Sequence, residues 1–200
     1  MIYAAVMGYG TIGSGVAEVL EKNRDVITAR TKEEIQVKYI LDLREFPGDP
    51  NEDKVIHGFS VIEQDEDVKI VVETMGGVRP AYDFVKASLL AGKHVVTSNK
   101  ALVAACGTEL LQIARDKGLN FLFEASVGGG IPLIRPLTGA LAGERIVEIS
   151  GILNGTTNYI LTKMAKEGQT FEEALRKAQE LGYAERNPES DVEGYDTCRK

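Results

Sequence analysis

The N-terminal segment constrains the fold more than any other part of the sequence. Residues 2–8, IYAAVMG, are typical of a buried strand, and Gly8, Gly10 and Gly13 form a G-x-G-x-x-G pattern at its end. Residues 14–30 carry apolar side chains at helical intervals. In a strand–loop–helix setting Gly8 allows a tight turn, Gly10 lets a pyrophosphate approach the backbone, and Gly13 permits close helix–strand packing. The loop therefore predicts dinucleotide binding at a helix N-terminus.

Strands and helices alternate through about the first 125 residues. Strands are predicted at IQVKYILD, VKIVVET, HVVTS and LNFLFEA, and helices at RPAYDFVKASLLAGK and 101–117. This alternation predicts an α/β fold with a doubly wound, Rossmann-type parallel sheet. We therefore assign residues 1–128 to a dinucleotide-binding domain.

The pattern changes after that point. IPLIRPLTGAL is predicted to be a helix, RIVEISGIL a strand, and NGTTNYILTKMAKEG and TFEEALRKAQELG two further helices. Thr170 with Glu173 has the spacing of a capping box at the last of these. Residues 129–200 are accordingly assigned to a partial α+β substrate domain.

Composition narrows the classes of partner. The chain has 23 Lys and Arg against 30 Asp and Glu, a formal charge of −7, which argues against nucleic acid as a partner. No apolar run is long enough to span a bilayer and no signal-peptide pattern is present, so we predict a soluble cytoplasmic protein without membrane contact.

The end of the second strand leaves the cofactor open. Asp42 stands where an acid usually accepts a hydrogen bond from the ribose 2′-hydroxyl of NAD, whereas Arg44 could receive the 2′-phosphate of NADP. The residues favour NAD slightly and keep NADP as the alternative.

Three further stretches carry a resemblance. They are VVETMGG through AGKHVVTSNKALVA, then FEASVGGGIPLIRPL, and lastly GILNGTTNYILTKM with AQELGYAERNPESDVEGYDTCRK. Together with the glycine loop they resemble the homoserine dehydrogenase family along essentially all 200 residues. The resemblance implies NAD(P)-dependent interconversion of aspartate 4-semialdehyde and L-homoserine, on the route to threonine, isoleucine and methionine.

The same resemblance implies site residues. Contacts with the cofactor are expected at Tyr9, Thr11, Ile12, Thr74, Met75 and Lys100. Substrate binding is expected at Gly182, Glu185 and Asp196, and a monovalent cation such as sodium at Glu124, Val127, Gly129 and Ile131. Asp196 and Lys200 match the acid and the catalytic lysine of the family's D-x-x-x-K helix.

The implied chemistry is physically coherent. Hydride transfer to an aldehyde leaves negative charge on oxygen, which a lysine ammonium can stabilise and protonate. We assign Lys200 as the proton donor and Lys100 as its partner, with Asp196 balancing their charge. Glu185 could bind the substrate's amino group.

The sequence departs from the family in two places. Leu41 stands where members that prefer NADP often carry arginine, which modestly favours NAD. Homoserine dehydrogenases also continue well past the catalytic lysine, and the complete proteins are expected to be homodimers. We therefore expect this chain to be a fragment, weakly active alone, with Lys200 on a frayed helix end.

Two other functions remain compatible with the glycine loop. One is a nucleotide-binding module without catalysis, and the other is a dehydrogenase of the same architecture that acts on another small carbonyl compound. Lys100, Glu185, Asp196 and Lys200 argue against a pure binding module, because such a module has no need of them.

Overall fold

The structure is a computed structural model that describes residues 1–184 and 187–199. It contains two compact units, Met1–Arg135 and Pro136–Lys200. The division lies slightly later in the chain than the domain boundary expected after residue 128. Among the described residues, no helix is both long and apolar enough to cross a lipid bilayer.

The first unit is built on a parallel sheet, as predicted. Within residues 1–184 the sheet has six strands: β1 Ile2–Met7, β2 Ile35–Leu41, β3 Val55–Ile56, β4 Val68–Glu73, β5 His94–Thr97 and β6 Phe121–Leu122. Their order is β3-β2-β1-β4-β5-β6, and every pairing is parallel. The chain thus moves outward from β1 to one edge and then crosses back to build the other half.

Helices cover both faces of this sheet. They are α1 Thr11–Lys22, α2 Arg24–Thr31, α3 Ser60–Gln64, α4 Ala81–Leu90, α5 Lys100–Asp116 and α6 Ala125–Gly128, with a 3-10 turn at Glu52–Lys54. The single helix predicted over 14–30 is wrong, because Asn23 ends α1 and precedes α2. Asparagine competes for backbone hydrogen bonds and so favours helix ends over interiors.

The alternation of side chains along β1 divides the core into two layers. Ala5 and Met7 pack on one face with fully buried side chains that include Leu89 and Leu110. Val6 packs on the other face with Ile40 and Ala17. A central strand buried on both faces must be apolar throughout, which is the pattern of IYAAVM.

The second unit is mostly helical. A π-helical turn at Pro136–Ala140 is followed by α7 Gly155–Glu167, α8 Phe171–Glu180, α9 Glu189–Val192 and α10 Tyr195–Cys198. Ile160 of α7 packs against Ala174 and Ala178 of α8. The capping box predicted at α8 is confirmed, because Glu173 N–H donates to Thr170 Oγ1 and Thr170 N–H donates to the Glu173 carboxylate.

Two predictions for the second part of the chain are wrong. The helix expected over 131–141 is only the short turn Pro136–Ala140, since proline inside a helix removes a hydrogen bond and clashes with the preceding turn. The strand expected over 145–153 is irregular, and among the described residues it pairs with no other strand. Val147 is 93% exposed and Ile152 is 74% exposed there.

Candidate cofactor cleft and catalytic residues

The glycine loop joins β1 to α1 under tight steric limits. A Cβ on Gly13 would lie 1.9 Å from the carbonyl oxygen of Gly8, so only glycine fits there. Gly8 has φ +92°, and a Cβ on it would lie 3.0 Å from the Met75 backbone. A Cβ on Gly10 would meet nothing within 4 Å. The loop is thus packed at Gly8 and Gly13 and open at Gly10, where a ligand could approach the backbone.

The end of β4 is tied to the same loop. Thr74 donates its backbone N–H to the carbonyl of Met7 at 2.9 Å and its hydroxyl to the carbonyl of Gly8 at 2.8 Å. Met75 lines the cleft that opens beside Gly8 and Gly10, which has a volume of about 560 Å³. This cleft lies at the carboxyl ends of β1, β2 and β4, where the strand order reverses and where open α/β sheets bind ligands.

Asp42 and Arg44 form an ion pair at one end of the cleft. The Arg44 side chain donates to both oxygens of the Asp42 carboxylate, each at 2.9 Å. The backbone N–H groups of Tyr9 and Arg44 donate to the same carboxylate at 2.8 and 3.0 Å. The hydrogen bond from Arg44 is the largest cause holding the pKa of Asp42 well below its usual range. Asp42 is therefore an ionised acceptor whose side chain is only 9% exposed, against 61% for Arg44.

His57 adds a further polar group beside this pair. Its Nδ1 lies 2.7 Å from the Asp42 carbonyl oxygen and its Nε2 lies 2.9 Å from the Glu45 carboxylate. The hydrogen bond to the Asp42 carbonyl raises the pKa of His57 above its usual value. This histidine was not among the site residues predicted from the sequence.

The Tyr9 side chain is buried away from open solvent. Its hydroxyl donates to Asp49 at 3.1 Å and accepts from the Asn51 amide at 3.1 Å, and its ring meets Phe46 edge-on. Burial raises the pKa of the Tyr9 hydroxyl. The side chain therefore holds the 46–51 segment in place, while its backbone N–H faces Asp42. Thr11 and Ile12, in the first turn of α1, are exposed.

Lys100 is the first residue of α5. The preceding Asn99 caps this helix, accepting from the Leu102 N–H at 3.1 Å. Asn99 also belongs to a buried polar group with Glu73 and Thr97, at the carboxyl ends of β4 and β5. Lys100 is thus placed at the sheet edge that carries the cleft.

The second unit has its own polar centre around Asn154. This residue caps α7 through Thr157 N–H, and its amide nitrogen donates to Asp191 at 2.8 Å and to Asp196 at 2.9 Å. Asn154 and Asp196 are both buried. The carboxylate of Asp196 is therefore held in place by a helix cap. Gly182, with φ +75°, follows the end of α8.

Two predicted residues, Glu185 and Lys200, lie outside the described residues. The end of the predicted D-x-x-x-K helix at Lys200 therefore also lies outside them.

The residues expected at a cation site surround α6. The Glu124 carboxylate accepts backbone N–H groups from Leu133, Ile134 at 2.9 Å and Arg135 at 2.8 Å. These bonds, the one from Leu133 first, lower the pKa of Glu124. Val127 lies within α6, and Gly129 and Ile131 follow it. In the described part of the chain, no three His, Cys, Asp or Glu side chains come together as metal ligands.

Sequence reasoning passed over several residues that the structure places near these groups. Glu73, Asn99 and Asp191 were not selected, and Asn154 appeared only within the stretch GILNGTTNYILTKM that carries the resemblance. Two signals were available. Asparagine directly before a helix is a capping signal, and Glu73 is a charged residue at the end of an apolar strand.

The parallel sheet and the glycine loop at its switch point define a dinucleotide-binding protein of the Rossmann type. The family model described as the NAD binding domain of homoserine dehydrogenase matches residues 8–124, and the homoserine dehydrogenase model matches residues 132–200. The chain belongs to the homoserine dehydrogenase family, whose members are NAD(P)-dependent oxidoreductases acting on a CH–OH group.

Individual relatives agree with this assignment. Homoserine dehydrogenase of Bacillus subtilis is 42% identical over 203 residues, which cover 100% of this chain and 47% of that protein. The crystal structure of a homoserine dehydrogenase from Thiobacillus denitrificans matches with a TM-score of 0.92 at 40% identity, over 100% of this chain and 47% of that chain.

A third match is the structure of a hyperthermophilic archaeal homoserine dehydrogenase in complex with NADPH. It has a TM-score of 0.87 at 27% identity and covers 100% of this chain and 67% of that chain. The present chain spans about half the length of the curated relatives that it matches.

Proposed function

We propose that the chain provides the cofactor-binding unit and the first catalytic residues of a homoserine dehydrogenase. The reaction is the NAD(P)-dependent interconversion of aspartate 4-semialdehyde and L-homoserine. The observation that carries the proposal is the glycine loop, in which Gly13 excludes any side chain and Gly10 faces open space at the switch point of the sheet. That geometry suits a pyrophosphate on the N-terminus of α1.

The cofactor supplies the hydride, and the residues of the chain bind and orient it. The backbone of Gly8–Gly13 and the first turn of α1, with Thr11 and Ile12, would hold the phosphates. Asp42 and Arg44 lie on the β2 side, where the adenosine end would lie. Thr74, Met75 and Lys100 lie on the β4 and β5 side, where the nicotinamide end would extend.

The proton chemistry rests on lysines and acids. Lys200 donates a proton to the alkoxide oxygen that hydride transfer creates, and Lys100 helps to stabilise that charge. Asp196 balances the lysine charge, and its burial and its bond to Asn154 favour one fixed position. Gly182 and Glu185 bind the amino-acid part of the substrate, Glu185 through its carboxylate.

The cofactor preference is proposed to lie slightly toward NAD. Asp42 is an ionised acid at the end of β2, and a ribose hydroxyl would replace one of the four hydrogen bonds that its carboxylate already accepts from Arg44 and from backbone groups. Arg44 is the exposed partner and would have to leave Asp42 to reach a 2′-phosphate. We therefore expect the binding of NADP to depend on Arg44 more strongly than the binding of NAD does.

Further parts of the proposal rest on the family resemblance and on the composition of the chain. They are a monovalent cation such as sodium at Glu124, Val127, Gly129 and Ile131, a homodimer of the complete protein, a cytoplasmic location, and a small-molecule substrate in place of nucleic acid or membrane. The cation fits in one respect, because these residues cluster around a single helical turn and can offer oxygen atoms, which hard cations prefer.

The first test measures reduced nicotinamide absorbance with homoserine and with NAD or NADP in separate reactions. We expect homoserine-dependent reduction that is lost in Lys200→Ala and retained in Lys117→Ala, a lysine at the end of α5 away from Lys100. Equal rates in the two variants would refute the role of Lys200. Tight cofactor binding without turnover, both in this chain and in a chain extended beyond Lys200, would instead favour a binding module.

The second test measures cofactor affinity in Arg44→Ala by the fluorescence of NADH and NADPH. Of the Asp42–Arg44 pair, only Arg44 can offer positive charge to the 2′-phosphate, so its removal should weaken NADPH binding by roughly tenfold, which is about 1.4 kcal/mol, and leave NADH binding nearly unchanged. An equal loss for both cofactors would contradict the proposed division of roles between Asp42 and Arg44.

A further inference from the structure

Glu73 is a fully buried carboxylate at the end of β4. Its Oε2 accepts from the Thr97 hydroxyl at 2.6 Å, and its Oε1 accepts from the Met75 N–H at 2.8 Å. The Gly76 N–H and the Asn99 amide also donate to Oε1, at 3.4 and 3.3 Å. Burying a carboxylate is unfavourable unless donors surround it. Here the donors come from β5, from the turn after β4 and from the cap of α5.

Asn99 joins the same three parts of the fold. Its Oδ1 accepts from the N–H of Leu102 and caps α5, and its Nδ2 donates to the Gly77 carbonyl at 2.6 Å as well as to Glu73. The orientation of the amide is fixed, because a reversed amide would aim its oxygen at a carboxylate and a carbonyl. One side chain therefore links the start of a helix, a glycine turn and a buried carboxylate.

The turn after β4 needs such a link. Gly76 and Gly77 have φ values of +81° and +70°, in the left-handed region. Glycine adopts many backbone conformations with little preference, so the sequence of the turn does not define its position. The bonds from Gly76 to Glu73 and from Asn99 to Gly77 define it instead.

The turn lines one half of the cofactor cleft, and the cap of α5 is hydrogen-bonded to that turn. Met75 and Gly76 line the cleft, and Lys100 is the first residue of α5. With the phosphates at the glycine loop and the adenosine ribose near Asp42, this half would receive the nicotinamide ring.

We propose that Glu73 and Asn99 are positioning residues that fix the Thr74–Gly77 turn and Lys100 for the nicotinamide half of the cofactor. The inference rests on the proposed function, and it adds two residues that act through others without touching the cofactor. Loss of Glu73 or Asn99 should weaken the binding of ligands that carry the nicotinamide and leave the binding of ligands without it unchanged.

The test uses Asn99→Asp in the full chain. Aspartate keeps the helix cap, because it accepts as well as asparagine does. It places a second carboxylate against Glu73 and removes the donor to Gly77. The milder variant Asn99→Ser also caps the helix but is too short to reach either partner. Asn120→Asp is the matched control, since Asn120 lies just before β6 at the opposite, amino-terminal end of the strands.

Affinities for NADH, NADPH and ADP-ribose are measured by titration calorimetry, with circular dichroism to verify folding. Of NADH and NADPH, we expect the one that the parent chain binds more tightly to lose affinity at least tenfold in Asn99→Asp, equivalent to about 1.4 kcal/mol. The affinity for ADP-ribose should change by less than about twofold. Asn99→Ser should show the same selectivity with a smaller loss, and Asn120→Asp should bind all three ligands as the parent chain does.

The outcomes separate the inference from the proposed function. An equal loss of NADH and ADP-ribose, or no loss of either in both Asn99 variants, would overturn the positioning role alone. Failure of the parent chain to bind NADH and NADPH would overturn the proposed function together with this inference. If Asn99→Asp does not fold, the ratio of affinities in Asn99→Ser decides.

Discussion

The sharpest prediction from the structure is that two alanine substitutions in α1 act in opposite directions. Gly13 and Gly15 are helical residues two positions apart. A Cβ at position 13 would lie 1.9 Å from the Gly8 carbonyl oxygen and 2.9 Å from the Thr74 hydroxyl, whereas a Cβ at position 15 would meet nothing within 4 Å. The same added methyl group is therefore a clash at one site and harmless at the other.

The magnitudes follow from these contacts. At Gly13, helix and loop must separate by about 1.5 Å to reach an ordinary van der Waals distance. Overpacking of this kind costs about 1–3 kcal/mol, and loss of the Thr74–Gly8 hydrogen bond adds roughly 1 kcal/mol. At Gly15, alanine removes backbone freedom from the unfolded chain and stabilises the helix by about 0.5–1 kcal/mol.

The assay is urea unfolding followed by circular dichroism, with NADH and NADPH affinities measured in parallel. Gly13→Ala should unfold at lower urea and lose cofactor affinity, because the displaced loop no longer presents its N–H groups to phosphate. Gly15→Ala should unfold at slightly higher urea and keep its affinity. If Gly13→Ala is as stable as Gly15→Ala, the close packing inferred at the loop is incorrect.

Three further predictions use other parts of the molecule. Gly10→Ala should destabilise the chain by no more than about 1 kcal/mol, because its Cβ points into open space and only the preference for glycine at the N-cap of α1 is lost, yet it should weaken the binding of NADH and NADPH measured by titration. Thr170→Ala should destabilise the second unit by about 1 kcal/mol in thermal unfolding, since the capping box is lost. Asp65 accepts a hydrogen bond from Lys38, which lowers the pKa of Asp65 to about 2. Its stabilising effect is therefore complete above its unfolded pKa near 3.8 and is lost as the pH falls toward 2. The gap in unfolding free energy between the parent chain and Asp65→Asn should shrink over that range, and a constant gap would refute the assignment.

The fold of the first unit was predictable because its local signals agree. The apolar run IYAAVM, the glycine loop and the strand–helix alternation all indicate a parallel sheet, and the sheet has that form. The break at Asn23 was missed, because the apolar spacing continues across it into α2. Periodicity alone does not detect a helix end, whereas the low preference of asparagine for helix interiors indicates one, and the Asn23 side chain makes no capping hydrogen bond here.

The second unit was less predictable for a physical reason. The segment 145–153 has the composition of a strand, but a strand exists only when another one accepts its hydrogen bonds. Among the described residues that segment has no such partner, so composition and structure disagree there. The α7 and α8 pair was predictable, because its capping and its buried face are both encoded locally.

The candidate site was predictable where a motif fixes the backbone and not where side chains meet across the fold. The residues of the glycine loop are neighbours in sequence, and so are Asp42 and Arg44. Glu73 and Asn99 are 26 residues apart, and Asn154 and Asp196 are 42 apart. Their contacts depend on the finished packing of strands and helices, which no short pattern in a single sequence specifies.

The bond from Thr74 to Gly8 also bears on how the first unit folds. It connects residues separated by 66 positions, and the cleft forms only where β1 and β4 have paired. Pairing of distant parallel strands forms slowly, because a long loop must close first. The cleft is therefore absent from any early intermediate that contains only local structure. A ligand that binds the cleft therefore stabilises the folded state of the whole unit. At a ligand concentration 100 times its Kd, the free energy of unfolding rises by about 2.7 kcal/mol. Thermal denaturation alone can then rank nicotinamide nucleotides as ligands, without any measurement of catalysis.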